Sequence, residues 1–377
     1  MEQQSRALEG LGQTRMTMAP NDAFWSGRRV VVTGHTGFKG SWLSLWLVAA
    51  GARVTGIALE PEGRPALFDQ LALADDMDSR IADIRDADRM RALMAEAAPE
   101  VVFHLAAQPL VLRSYRDPLE TWSTNVMGSA HVLEAVRHLD APCTAVVVTT
   151  DKVYANSEWE FGYRENDPLG GHDPYSASKA GTELAAQSWR KSFFSPEGHV
   201  RLATARAGNV IGGGDWSENR IVPDIMRALA RDQDVVLRNP SAVRPWQHVL
   251  DPVWGYLLLA QTLHQDPAAI YQDAFNFGPD PDAAQTVQRL VETALSRWPG
   301  RWRALDPDAP RPHEANLLTL DTSRARNRLG WAPCWGFARA VAETVDWYQV
   351  AAGADAEAIR RKTLEQIEQF KNEIHTT

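Results

Sequence analysis

Tyr175-Ser176-Ala177-Ser178-Lys179 sets a tyrosine and a lysine four residues apart, which on a helix is one turn along the same face. An unperturbed phenol titrates at about 10, and a neighbouring cation favours its ionised form. Such a pair makes a base able to take a hydroxyl proton near neutral pH, the requirement for oxidising an alcohol to a ketone. Thr149-Thr150-Asp151-Lys152 precedes it. There Asp151 and Lys152 add proton transfers that plain oxidation does not need. A lysine base must first lose its proton from an ordinary pKa of about 10.4, which takes burial or a nearby positive charge such as Lys179. A Tyr and Lys at this spacing also occur on surface helices, and Asp-Lys also caps loops, so the placement of both groups in the fold decides their meaning.

That placement follows from an alternation of elements. A β-branched strand at 29–33 is followed by a glycine-rich turn and an apolar helix at 41–50; further strands are expected at 53–59, 101–105, 144–149 and 201–207. Helices at 88–97, 121–139 and 174–194 separate them, the last with Pro174 near its start, where the helix N-terminus tolerates proline. The pattern predicts an α/β fold with a doubly wound, Rossmann-type parallel sheet and helices on both faces. Tyr175 and Lys179 then follow the fifth strand, and Thr149 to Lys152 end it. Beyond Gly208 the texture turns to short elements rich in Gly, Pro and Trp. The expected organisation is a tail over 1–23, a cofactor domain over 24–207, a smaller mixed α/β substrate-binding region over 208–350 from which the chain can return to the first sheet, and an amphipathic terminal helix over 351–377.

The turn Gly34-His35-Thr36-Gly37-Phe38-Lys39-Gly40 lies directly between a strand and a helix. Glycine lets the backbone approach a pyrophosphate, whose charge the helix N-terminus then binds. Asp83-Ile84 falls where a third strand should end, and Leu105-Ala106-Ala107-Gln108 ends the fourth, so three segments converge on the carboxyl edge where such sheets bind dinucleotides. Glu60, after the second strand, suits the ribose hydroxyls of NAD; Arg64 is the group that would meet the extra phosphate of NADP. NAD is the favoured cofactor.

The formal net charge of -9 argues against broad attraction to nucleic acid or an anionic membrane. Cys143 and Cys334 stand without disulfide or metal-ligand spacing, which fits a reducing cytoplasm and no metal. The apolar stretch 43–52 is far short of the about 20 residues that span a bilayer.

With its glycine turn, its Thr-Asp-Lys strand end and its Tyr-x-x-x-Lys helix, the chain resembles the extended short-chain dehydrogenase/reductase superfamily. Within that superfamily it is similar to the CDP-glucose 4,6-dehydratase family, through Gly34 to Trp42, Ala106-Ala107-Gln108-Pro109-Leu110-Val111, Gly162-Tyr163-Arg164-Glu165-Asn166, Arg206 to Trp216 and Arg244-Pro245-Trp246-Gln247-His248-Val249. The resemblance implies Tyr175 as base with Lys179 as its partner, a threonine hydroxyl on the reacting oxygen, Asp151 as acid and Lys152 as C5 base. Thr149 and Thr150 alternate across the strand, so one of them faces the cofactor; Thr150 is preferred because it adjoins Asp151. The resemblance also implies Asn125 and Gln108 near the cofactor, and Gln108, Asn209, Arg220, Arg244 and His313 around CDP-glucose, with Glu314 near His313. A structural salt bridge is the alternative for Arg220 and Arg244. A homodimer through 121–139 and 174–194 is expected, with a tetramer as the larger assembly. The rival functions are sugar-nucleotide epimerisation, dehydration of another nucleotide hexose, and NAD sensing without catalysis.

Overall fold

The computed structural model describes residues 21–194, 198–305 and 318–374. His313 and Glu314 lie outside the described residues, as does the tail up to residue 20.

Seven parallel strands form the central sheet: β1 (Arg29–Thr33), β2 (Arg53–Ala58), β3 (Asp78–Ile81), β4 (Val101–His104), β5 (Cys143–Val148), β6 (Val200–Arg206) and β7 (Ala274–Asn276), in the order β7-β6-β5-β4-β1-β2-β3. β-branched residues fill the strands because both faces are covered. In β1, Val30 and Val32 join the core on one face and Val31 the core on the other; in β5, Val146 and Val148 likewise alternate with Ala145 and Val147, the two-residue period of a pleated strand.

α1 (Phe38–Ala49) is apolar nearly all round and buries Trp42, Leu43, Leu45, Trp46 and Leu47. α2 (Ala87–Ala97) packs on the opposite face. The single helix expected over 121–139 is three pieces: α3 (Pro118–Trp122), a π-helical turn (Ser123–Gly128) and α4 (Ser129–Arg137). The π turn frees the Asn125 carbonyl, which accepts from Ser129 Oγ at 2.6 Å and Thr182 Oγ1 at 2.7 Å. α5 (Pro174–Ser192) starts with Pro174, and the Asp173 side chain caps it by accepting from the Ser176 amide at 3.0 Å.

β7 comes from the later part of the chain and pairs with β6 through Ala274 opposite Thr204. The chain therefore returns to the sheet after residue 208. α6 (Leu250–Gln265) is buried along most of its length against the same face as α1. α7 (Phe337–Ala351) and α8 (Ala356–Ile374) close this side, with Trp347 Nε1 donating to Thr363 at 2.8 Å between them. No helix among the described residues is long and apolar enough to cross a membrane.

Candidate active site

The strand order reverses between β1 and β4, and a crevice of this kind lies at their carboxyl ends. Gly34 ends β1 at φ +78°, and a Cβ there would stand 2.7 Å from the Ala106 amide nitrogen after β4. Only glycine lets the two strand ends approach this closely in this conformation. Gly37 precedes α1 as its N-cap residue without a side-chain bond, leaving the amides of the first turn free to bind an anion. Thr36 Oγ1 donates to the Leu59 carbonyl at 2.9 Å, tying the turn to the end of β2. Phe38 and Gly40 continue the turn into α1; Phe38 is half-buried.

Around this crevice, Leu105, Ala106 and Ala107 are half-buried, Ile84 is buried, and Glu60 is exposed just past β2. Arg64 forms an ion pair with Asp69. Asp83 sits two residues beyond β3 and pairs with Arg85 at 2.6 Å, which holds its carboxyl below the ordinary value. The Gln108 side chain is bonded within the protein: Nε2 donates to Thr121 at 2.8 Å, and Oε1 accepts from the Leu110 amide at 2.6 Å. Buried Asn125 braces the loop by bonding both the amide and carbonyl of Gln108 and donating to Ser178 Oγ at 2.8 Å.

The reactive groups meet where β5 ends beside α5. Thr149 and Thr150 point to different sides, as strand alternation requires. Thr149 Oγ1 donates to Glu183 at 2.6 Å, whereas Thr150 Oγ1 donates to Asp151 Oδ1 at 2.9 Å and shares a hydrogen bond with the Tyr175 hydroxyl. Burial pushes the Tyr175 phenol up to about 12, opposed by the Thr150 bond and by the Arg220 charge. Lys179 donates to the Val148 carbonyl at 3.3 Å. Burial pushes it down to about 8, and the Glu183 carboxylate opposes that. Arg220 thus brings a positive charge that favours ionisation of Tyr175.

Asp151 is 1% exposed. A Cβ on Gly208 would collide with its carboxylate, so glycine at that position is what admits the acid. Asn209, at φ +48°, donates to Asp151 Oδ2 at 3.4 Å. Lys152 is exposed; the burial expected of a lysine base is not supplied by its own protein surroundings. Lys39 is half-buried, and desolvation together with the Arg220 and Lys179 charges pushes it down to about 7, against Asp151 and Asp215. Arg220 pairs with Asp215 at 3.0 Å. Arg244 is half-buried and donates to the Val243 carbonyl at 2.8 Å. Trp216 and Trp246 have satisfied indole donors, to Gln70 and to the Gln285 carbonyl.

Asp151 and Gly208 also line a cavity of about 410 Å3, with Pro245, Gln247, Gly278, Ala284 and Asp321 among its other walls. That volume is in the range of small-molecule sites. No group of acidic, histidine or cysteine side chains suited to a metal occurs among the described residues.

Glu183, Arg206, Asp215 and Ser178 take part in this centre; the last three lie within the motifs quoted above, which gave them no role, and Glu183 lies outside those motifs. For Glu183 a signal existed: it lies one further helical turn beyond Lys179 on the same face.

A doubly wound parallel sheet with a glycine turn at its switch point, and with Thr, Tyr and Lys gathered at the end of β5, defines an extended short-chain dehydrogenase/reductase. The profile of the GDP-mannose 4,6-dehydratase family matches residues 31–344, and the chain belongs to that family. It is 49% identical to CDP-glucose 4,6-dehydratase of Salmonella typhimurium over 86% of this chain and 92% of the relative. It is 32% identical to dTDP-glucose 4,6-dehydratase of Streptomyces antibioticus over 85% of this chain and 92% of that one. The crystal structure of dTDP-glucose 4,6-dehydratase from Streptomyces venezuelae with NAD bound shares the fold at a TM-score of 0.74 and 24% identity, covering 86% of this chain and 98% of that chain.

Proposed function

We propose that the protein is an NAD-dependent dehydratase that converts CDP-glucose to CDP-4-dehydro-6-deoxyglucose and water. The observation that carries this reading is a buried carboxylic acid, Asp151, lining the cavity next to the Thr150–Tyr175 hydroxyl pair. Epimerisation through a ketone needs the pair but not the acid. The relative of highest identity quoted above supports CDP-glucose over the other nucleotide hexoses.

The glycine turn, the free amides at the start of α1 and the close approach of Gly34 to Ala106 fit a dinucleotide pyrophosphate. Glu60 suits the ribose hydroxyls, and the engagement of Arg64 with Asp69 favours NAD over NADP. NAD bound there would supply the acceptor for the hydride of the sugar C4 and the donor that reduces C6. Tyr175 takes the proton of the C4 hydroxyl, and Thr150 orients that oxygen. Lys179 and Arg220 stabilise the phenolate. The resulting ketone acidifies the C5 proton, which Lys152 removes while Asp151 protonates the departing C6 hydroxyl, so that water leaves and a 4-keto-5,6-ene forms; a proton returns to C5 as C6 is reduced. Lys152 is exposed, so it reaches C5 from the open side of the site. Asn209, Arg220 and Arg244 hold the diphosphate, for which arginine's planar donor fork is suited.

Exposed Leu119, Trp122, Met127 and Leu184, on α3, the π turn and α5, support a homodimer through these helices. Apolar side chains grouped in this way mark association surfaces.

Mass spectrometry of products from NAD with CDP-glucose, beside dTDP-glucose, GDP-mannose and UDP-glucose, tests the reading. Loss of water from CDP-glucose alone is expected. Loss from a different nucleotide sugar would overturn the substrate, and unchanged mass throughout would overturn dehydration in favour of epimerisation or sensing.

A further inference from the structure

A buried ion pair lies beneath the reactive groups. Glu183 and Arg206 are 3% and 4% exposed in their side chains and meet at 2.8 Å. Glu183 Oε1 accepts from Thr149, next to Thr150; Oε2 accepts from Thr204 at 2.8 Å and from Arg206. One carboxylate thus ties the end of β5 to β6 and to the helix that carries Tyr175 and Lys179. Arg206 continues outward, donating to the Tyr154 hydroxyl at 2.8 Å, which donates to Asn276 Oδ1 of β7 at 2.7 Å. Asn276 in turn donates to the carbonyls of Tyr163 and Asp321, beside the cavity. Taking two charges out of water is costly, and well-packed apolar residues serve stability about as well. The pair's position therefore calls for a role in the chemistry.

We infer that Glu183, held by Arg206, is a positioning residue that sets the end of β5 and the Lys179 ammonium in the arrangement Tyr175 requires. This rests on the dehydratase reading for its consequence in turnover, but its effect on Lys179 is independent of substrate. The titratable and charged groups that interact with Lys179 are Glu183, one turn along its own helix, His104 of β4 and Lys39 of α1, with Tyr175 one turn before it on the same helix. Of these, Glu183 is the one that works against the burial of Lys179. Removing its charge lowers the proton affinity of Lys179, so the cation is lost at a lower pH and activity falls with it.

The test compares Glu183→Gln and the double variant Glu183→Gln/Arg206→Met with the wild type. Far-ultraviolet circular dichroism checks folding. Lysine Cε resonances in 13C-labelled protein, with Lys179 assigned through Lys179→Met, report its titration without turnover, and kcat for CDP-glucose is measured across pH. The expected result is a Lys179 midpoint lowered by about one pH unit, with the alkaline limb of kcat displaced the same way. The double variant carries the test if the single one does not fold. A folded variant with the wild-type midpoint, or with activity reduced by one factor at every pH, would overturn the inference. Failure of both variants to fold would also overturn it, by placing the pair in the folding core alone. A wild type inactive on CDP-glucose but with the midpoint displaced in the variants would sink the functional reading and leave this one standing.

Discussion

Replacing Lys179 with methionine should stabilise the protein while removing its activity. Burial lowers Lys179 from its ordinary 10.5 to about 8. At about 1.4 kcal/mol per pH unit, keeping the ammonium charged inside the protein costs roughly 3 kcal/mol at neutral pH. Methionine has similar length and no charge to desolvate. It gives up the bond to the Val148 carbonyl, worth about 1 kcal/mol, so the net gain at pH 7 is about 2 kcal/mol. The pH dependence separates this from a packing effect. Below pH 8 both folded and unfolded chains carry the charge, and the cost is felt in full. Between the folded value of about 8 and the ordinary 10.5, the unfolded chain binds more protons, so on this group's account wild-type stability rises with pH. The advantage of the variant must therefore shrink over that interval. Urea unfolding followed by tryptophan fluorescence at pH 7 and pH 9.5, without NAD because a ligand of the folded state adds its own stabilisation, measures both gaps. A variant less stable than wild type at pH 7, or a gap equal at the two pH values, would refute the reasoning.

Asp151→Asn should lower dehydration by about 10^2 to 10^4-fold, the usual worth of a positioned acid, while oxidation at C4 persists; absorbance of reduced nicotinamide building up without loss of water from the sugar is the readout. Thr150→Val should abolish turnover with little loss of stability, whereas Thr149→Val leaves Glu183 short of a donor and should cost about 1–3 kcal/mol in denaturant unfolding; the reverse pattern would mean that the wrong threonine faces the sugar. Gly34→Ala forces a side chain against the Ala106 amide at φ +78° and should abolish NAD binding in calorimetry, a result contradicted by wild-type affinity.

The alternating elements were legible because β1, β4 and β5 are short valine-rich runs, and because Pro174 marks the start of α5. The site was legible where spacing along one element carries it, as for Tyr175 and Lys179. Other features depend on contacts between distant segments. β7 is three residues long, too short for its period to show, and joins the sheet only because β6 offers it an edge. The π turn was read as ordinary helix, since one widened turn leaves the apolar pattern on either side intact. Lys39 reads as part of a phosphate-binding turn, yet its low proton affinity comes from desolvation and from the charge of Arg220, far along the chain. The exposure of Lys152 next to a buried Asp151 reflects the short 3-10 turn Asp151–Val153, in which successive side chains point apart.

Most of the buried charge in this fold lies at one edge. Asp151, Lys179, Glu183, Arg206 and Asp215, with half-buried Lys39 beside them, surround the carboxyl ends of β1, β5 and β6, whereas the cores on both sheet faces are apolar. Asp167, Glu343 and Asp251 are buried elsewhere; for Asp251 burial pushes the carboxyl up to about 7, and its Oδ1 accepts from the Cys334 amide at 2.6 Å, fastening a loop far along the chain to the start of α6. It meets one chain segment and has a structural duty. The edge groups differ because they constrain one another: Lys39 is lowered by Lys179 and Arg220, Tyr175 is opposed in opposite senses by Arg220 and Asp151, and Lys179 is supported by Glu183. A cluster selected for stability would pair each charge with one opposite and leave proton affinities near their ordinary values. Here the balance leaves two lysines with proton affinities near neutrality around a tyrosine and an acid, an arrangement that costs stability and makes proton transfer to and from a bound sugar possible.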